Sequence, residues 1–269
     1  MNRKFPFIIL LLIFAGFVCS IVSCNDEEEQ QRLTRAEKER LRKEDSLALK
    51  VGIMPTADCD FIRLADSLHL FDTLGVDVHF RRYNSLSECR YALSHNMVEG
   101  AVVDSILAGI IEQKDTTPLT LSIATPLKWK LLTAKKSRIS RHSQLVDKIV
   151  ATDSHGASRT LAQNAVDSIL KKKKSIFFIQ CEDVGIRCNM LITGNVDGAM
   201  LPEPYATKAL KKGAKELALG DDKTYGVVVF RSKVLNDKRI KEQYDLFLKA
   251  CNIAKDSLRL RNGKLGGKK

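Results

Sequence analysis

From Leu49 to Arg259, short apolar runs alternate with longer amphipathic stretches, and this alternation restricts the fold more than any other feature of the chain. Leu49–Met54, Val76–Tyr83, Gly100–Val103 and Thr117–Ala124 read as strands, with Val76, Val78 and Phe80 alternating against polar neighbours. Between them, Asp60–Phe71 places Phe61, Leu64, Ala65 and Leu68 on one helical face. A second helix opens at Ser85 and runs to about His95, and Ser105–Glu112 forms a third. Ser85-Leu86-Ser87-Glu88 has the form of a capping box, in which hydroxyl and carboxylate satisfy each other's backbone N–H. Strand–helix–strand order of this kind implies a mainly parallel sheet flanked by helices, an α/β class.

The same grammar then repeats. Trp129–Ala134, Lys148–Thr152, Ser175–Gln180, Asp197–Leu201 and Tyr225–Ser232 read as strands. Helices run from the Asp153–Ser158 loop to about Leu170, over Asp183–Thr193, from Tyr205 to Lys212, and over Asp237–Arg259. Two units imply two lobes. The chain is expected to cross between them near 124–128 and 220–226, so that 48–126 with 222–262 form the first lobe and 127–221 the second. Ligands of open α/β sheets gather at the carboxyl ends of strands. Two segments echo each other there: Asn96–Asp104 and Gly194–Glu203 each carry an apolar strand into a polar loop holding an acid.

The first residues read as an export signal. Arg3 and Lys4 precede an apolar run from Phe5 to Val22, which ends in Ile21-Val22-Ser23-Cys24. This resembles a bacterial lipobox, with lipidation and cleavage expected at Cys24. The alternative is an uncleaved anchor, since the run is nearly long enough to span a bilayer. Residues 1–23 are thus expected to be a signal peptide, 24–47 a charged tether opened by Asn25-Asp26-Glu27-Glu28-Glu29, and 263–269 a basic tail. Both readings put the chain in the cell envelope, on the periplasmic side or at the outer-membrane surface.

Cleavage removes Arg3 and Lys4 and no acid, lowering the formal net charge of +12 by two. The lysines are spread over Lys171–Lys174, Lys208–Lys215 and Lys264–Lys269 without interleaved aromatics, which argues against nucleic acid and for solvated helix faces. Cys59, Cys89, Cys181, Cys188 and Cys251 remain besides Cys24; Cys59–Cys89 and Cys181–Cys188 are conceivable bridges, and an odd set leaves a free thiol. No Cys-x-x-Cys occurs and the five histidines are scattered, so no metal site and no cofactor are expected. No Gly-x-Ser-x-Gly and no phosphate-binding glycine motif is present, and no enzyme is expected.

Val51–Asp58, Leu70–Val78, Val98–Asp104, Asp153–Ser158 and above all Val196-Asp197-Gly198-Ala199-Met200-Leu201-Pro202-Glu203-Pro204-Tyr205-Ala206-Thr207 resemble ABC-transporter substrate-binding proteins of the nitrate/sulfonate/taurine and thiamine-precursor group. The likeness covers roughly residues 49–235. It departs from the family at Asp60-Phe61, where many members carry a proline. The resemblance implies a two-lobed type II periplasmic-binding-protein fold with an interlobe cleft. It also implies a small polar solute and an ABC permease as partner; the lipobox supplies the expected membrane anchor through Cys24, and a monomer is expected. A surface lipoprotein that keeps the fold but binds a partner without transport is the alternative.

Within that frame, Thr56 and Asp58 lie past the first strand, either as ligand contacts or as a turn and helix cap. Asp104 and Ser105 follow the third strand with the same two readings. Ser154, Gly156, Ala157 and Ser158 form a small-residue loop at a helix start, where free N–H groups attract anions. Glu203 could accept from a ligand amine, Tyr205 could stack, and Trp129, the only tryptophan, could wall the cleft. The acids favour a cationic ligand and the helix start an anionic group, and sequence leaves the charge open.

Overall fold

The computed structural model describes residues 35–167, 175–219 and 224–266. The signal segment, Cys24, the Lys171–Lys174 run and the last three residues lie outside the described residues. Helix α1 (Arg35–Leu47) belongs to a unit separate from the body that begins at Leu49. Its side chains from Glu37 to Leu47 are exposed apart from a half-buried Asp45.

Among the described residues, the body holds two five-stranded sheets. The first contains β1 (Leu49–Ile53), β2 (Val78–Arg82), β3 (Gly100–Asp104), β4 (Leu119–Thr125) and β10 (Gly226–Arg231), in the order β2-β1-β3-β10-β4. The second contains β5 (Trp129–Thr133), β6 (Ile149–Thr152), β7 (Phe177–Gln180), β8 (Gly198–Pro202) and β9 (Lys215–Leu217), in the order β7-β6-β8-β5-β9. The helices of the first half are α2 (Asp60–Ser67), α3 (Leu70–Leu74), α4 (Leu86–Ser94) and α5 (Ser105–Lys114). Those of the second are α6 (Ala157–Asp167), α7 (Val184–Thr193) and α8 (Tyr205–Lys211), and α9 (Lys238–Gly266) closes the chain.

Four strands of each sheet point one way and one opposes them: β10 is antiparallel to β3 and β4, and β5 is antiparallel to β8 and β9. This reversal matters for the site, because the first residues of β5 and β10 come to the edge where the other strands end. Trp129 faces Pro202, and Gly226 faces both Asp104 and Thr125.

The repeat of the two halves has a physical basis at the opposite edge. Glu99, just before β3, accepts from Lys50 N–H at 2.7 Å and donates its own N–H to the Lys50 carbonyl at 2.9 Å. Asp197, just before β8, makes the same reciprocal pair with Ile149, at 3.1 and 2.9 Å. Each acid thus fixes the register of two parallel strands, and the echoed sequences are explained by this strand start as well as by the loops that follow them.

Among the described residues, apolar packing forms three clusters. On one face of the first sheet, Val51, Val102, Val228 and Phe230 meet Phe61, Ile62, Phe71 and Phe247. Phe71 stacks on Phe247 at 5.4 Å, and Phe230 meets Phe247 edge-on at 5.6 Å. Each such buried aromatic contributes roughly 1.5–3 kcal/mol. On one face of the second sheet, Leu132, Ala151, Ala199 and Leu201 meet Cys188 and Leu191 of α7 and Ala206 and Ala209 of α8. The third cluster joins the two halves, with Met54, Val103 and Leu107 in one cluster with Trp129, Ala157, Leu161 and Met200.

Three elements differ from the sequence reading. The expected helix 60–71 breaks at His69, which is left-handed at φ 52°. A continuous helix would swing Phe71 about 80° away from the Phe61 stripe, and the turn returns it to the core, 3% exposed. The strand β9 was not anticipated, since only Leu217 of its three residues is buried. The conceivable bridges are not formed: Cys59, Cys89, Cys181, Cys188 and Cys251 are all free. Cys59 and Cys89 belong to different apolar clusters and serve there as small hydrophobes. The capping box is present as expected, with Ser85 accepting from Glu88 N–H and Glu88 from Ser85 N–H. Among the described residues no helix is long and apolar enough to cross a membrane.

Candidate functional site

Strand direction brings the carboxyl ends of β1, β3, β6 and β8 and the starts of β5 and β10 to one seam, where the halves touch directly. Ala57 N–H donates to the Glu203 carbonyl at 2.8 Å, and Val184 N–H to the Asn84 carbonyl at 3.3 Å. Glu182 accepts from Ser87 Oγ at 2.5 Å and from Ser154 N–H at 2.8 Å, tying α4 to the loop after β6.

Asp104 is the central residue of this seam. It is fully buried and caps two helices from different halves: Oδ1 accepts from Leu107 N–H at 2.7 Å in α5, and Oδ2 from Ala157 N–H at 2.9 Å in α6. Gly156 makes the approach possible. Its φ of 105° lies in the left-handed region, and a Cβ there would stand 2.8 Å from Asp104 Oδ2. Ser158 Oγ accepts from Asp153 N–H at 3.1 Å.

The other sequence-predicted residues divide. Thr56 is buried and its carbonyl accepts from Arg63 at 2.6 Å, while Asp58 is 5% exposed beside it. Burial raises the Asp58 carboxyl, against a lowering hydrogen bond from Thr56. Trp129 is 4% exposed, with the Arg187 guanidinium 5.8 Å from its ring centroid. Ser105 donates its N–H to the Tyr225 carbonyl at 2.9 Å, and so fastens the entry of β10. The Glu203 carboxylate pairs with Lys130 at 3.3 Å and caps α8 through Thr207 N–H at 3.0 Å, so it is already engaged within its own half. Tyr205 is half-buried and packs against two of the apolar clusters.

Sequence reasoning did not single out Thr125, Asp153, Glu182 and Arg187. Arg187 is fully buried and donates to the carbonyls of Cys181, Met200 and Glu182 at 2.8, 3.0 and 3.4 Å. A signal existed: it stands on the apolar stripe Val184, Cys188, Leu191 of α7, where an unpaired charge would be costly. Asp153 follows β6 directly and is 2% exposed. Burial pushes its carboxyl up to about 7 despite the attraction of Arg187, and Asp104 and Glu182 add to the rise. Burial likewise raises Asp104, with Asp58 contributing.

Among the described residues, four buried side-chain polar atoms have no hydrogen-bond partner: Asp58 Oδ1, Thr125 Oγ1, Trp129 Nε1 and Asp153 Oδ2. All four residues stand at this one seam. Two cavities open beside it. One of about 230 Å³ is lined by Met54, Arg63, Phe80 and Tyr83; another of about 440 Å³ is lined by Tyr83, Glu88, Tyr91 and Glu182. Neither is lined by a sequence-predicted site residue. No cluster of three metal-ligating side chains occurs among the described residues.

No family model matches the chain, and no curated protein does. Solved structures do match, at identities that establish the fold. The ligand-binding component of an ABC-type import system from Staphylococcus aureus, with zinc bound, has a TM-score of 0.65 at 14% identity, covering 77% of this chain and 73% of that one. The alkanesulfonate-binding protein SsuA from Xanthomonas axonopodis pv. citri, bound to MOPS, has a TM-score of 0.63 at 17% identity, covering 81% and 76%. A Candida albicans gene product described as having the generic periplasmic binding protein fold scores 0.60 at 15% identity, covering 81% and 73%. The chain therefore has the periplasmic-binding-protein fold.

Proposed function

We propose that this protein is an extracytoplasmic solute-binding lipoprotein that holds a small polar molecule at the seam between its two sheets and presents it to an ABC importer. The lobes are 48–126 with 222–262 and 127–221, and Cys24 carries the lipid anchor. One observation carries the reading: the buried polar atoms without partners, on Asp58, Thr125, Trp129 and Asp153, all stand at the strand ends where such folds hold ligands. A buried polar group without a partner costs about 1–3 kcal/mol, and a ligand that hydrogen-bonds to these atoms removes the cost. Hinge opening breaks the Ala57–Glu203, Ser87–Glu182 and Asp104–Ala157 contacts, and closure over the solute restores them. Structural neighbours that are import components support the same reading, as a binding protein and not an enzyme.

Those seam contacts also favour a second reading, a surface module on this fold that binds a partner and moves no solute. Thermal-shift screening of the purified protein against small metabolites separates the two. A saturable rise in Tm with at least one metabolite is expected. A flat response across the screen, with no permease recovered alongside the protein from its native membrane, would favour the partner module. The anchor is tested by Cys24→Ala, which should move the protein from the membrane to the soluble fraction; unchanged membrane association would refute lipidation at this cysteine.

A further inference from the structure

The solute's charge can be read from which groups at the seam are already engaged, given the solute-capture reading on which this inference rests. A helix start such as that of α6 ordinarily invites an anion. Here two of its N–H groups, and one just upstream, are held by the protein's own carboxylates. Ala157 N–H donates to Asp104 Oδ2 at 2.9 Å, Arg159 N–H to Asp153 Oδ1 at 3.3 Å, and Ser154 N–H just upstream to Glu182 Oε1 at 2.8 Å. The one fully buried guanidinium among the described residues, Arg187, gives its donors to three backbone carbonyls. An incoming anion would find these donors engaged and would lie among like charges.

The groups that remain are complementary to a cation. Asp58 and Asp153, 5% and 2% exposed, each carry a carboxylate oxygen with no partner. Thr125 adds a hydroxyl oxygen and Trp129, 4% exposed, an indole N–H, both also without partners. We propose that the bound solute is a small organic cation, an ammonium or protonated amine, whose N–H groups are held by Asp58 and Asp153. A hydrogen-bond acceptor elsewhere on it takes the Trp129 N–H. The carboxylates at α6 then act as a charge filter: they fill the place where an anionic group would dock and leave the seam acidic. Burying carboxylates is costly unless a positive charge accompanies them; Arg63 near Asp58 and Arg187 near Asp153 supply part of it, and a cationic solute supplies the rest, displacing the proton that burial favours on these acids.

The experiment is untargeted. Purified full-length protein is mixed with a metabolite extract of bacterial cells, washed and denatured, and the released molecules are identified by mass spectrometry in both ion polarities. The compound recovered is then titrated into wild type, Asp58→Asn and Asp153→Asn by calorimetry. The expected result is a retained amine that is cationic at neutral pH, with affinity lowered about tenfold or more in at least one variant that keeps the wild-type circular dichroism spectrum. Retention of a sulfonate, nitrate, phosphate, neutral molecule or metal ion would overturn the cation assignment while leaving solute capture intact. An amine bound equally well by both variants would overturn the assignment to these residues. Retention of nothing would overturn solute capture and the inference with it.

Discussion

Asp153 makes the stability of this protein depend on pH in an unusual direction. Its carboxyl is raised from the usual 3.8 to about 7, chiefly by burial. The folded protein therefore keeps a proton that the unfolded chain has already lost over that interval. Stability from this group is greatest below about pH 4 and is lost as pH rises through 4 to 7. At roughly 1.4 kcal/mol per pH unit, the loss between pH 5 and pH 8 is about 2.5 kcal/mol. The groups facing Asp153 are Arg187, which opposes the rise, and Asp104 and Glu182, which add to it. Asp58 and Asp104 are also raised and have the same sign. Asp153→Asn retains an acceptor for Arg159 N–H but cannot titrate. Urea unfolding of wild type and variant at pH 5 and pH 8 isolates the effect, since the cost of leaving Arg187 without its acid largely cancels in the difference. The variant should lose about 2.5 kcal/mol less than wild type over that change. Equal losses in the two proteins would refute the assignment of a buried, proton-holding Asp153.

Arg187→Met should cost about 3–5 kcal/mol by leaving three carbonyls without their donor and Asp153 without a nearby positive charge, lowering Tm by more than about 6 °C in calorimetry; a drop under 2 °C would refute it. Gly100→Ala places a Cβ 2.7 Å from the Phe230 ring and the Val229 carbonyl, so denaturant unfolding should show a loss of about 1–3 kcal/mol. Ser85→Ala removes the hydroxyl of the capping box and should cost about 1 kcal/mol in the same assay. Glu203→Gln removes the charge of a part-exposed pair with Lys130 while keeping an amide oxygen for Thr207 N–H, and should change stability by less than about 1 kcal/mol while leaving solute affinity unaltered; a large loss of affinity would return Glu203 to the binding site.

Most of the fold was legible because strands buried on both faces, such as Gly100–Asp104 and Gly198–Pro202, are continuous apolar runs. Helix α4 carried its own start signal in Ser85 and Glu88. What failed depended on tertiary contact. His69 breaks a helix so that Phe71 can reach Phe247, and β9 is a short strand with one buried side chain. At the site, the strand-end rule pointed to the loops holding Thr56, Asp58, Asp104 and Gly156. The rule could not tell which acids would be engaged. Asp104 and Glu203 look alike in the echoed segments, yet the carboxylate of one bridges helices of both halves and that of the other pairs with Lys130 of its own half. Arg187 carried a signal in its place on the apolar stripe of α7, but the carbonyls that satisfy it come from outside the helix and follow only from the tertiary fold.

The most direct test uses the single tryptophan as reporter. Trp129 stands at the start of β5 with its indole N–H inside the seam. Titration of the retained solute should shift its emission saturably, at one solute per chain, with the same midpoint as calorimetry. Calorimetric binding with unchanged Trp129 emission would place the solute elsewhere and contradict capture between the two sheets.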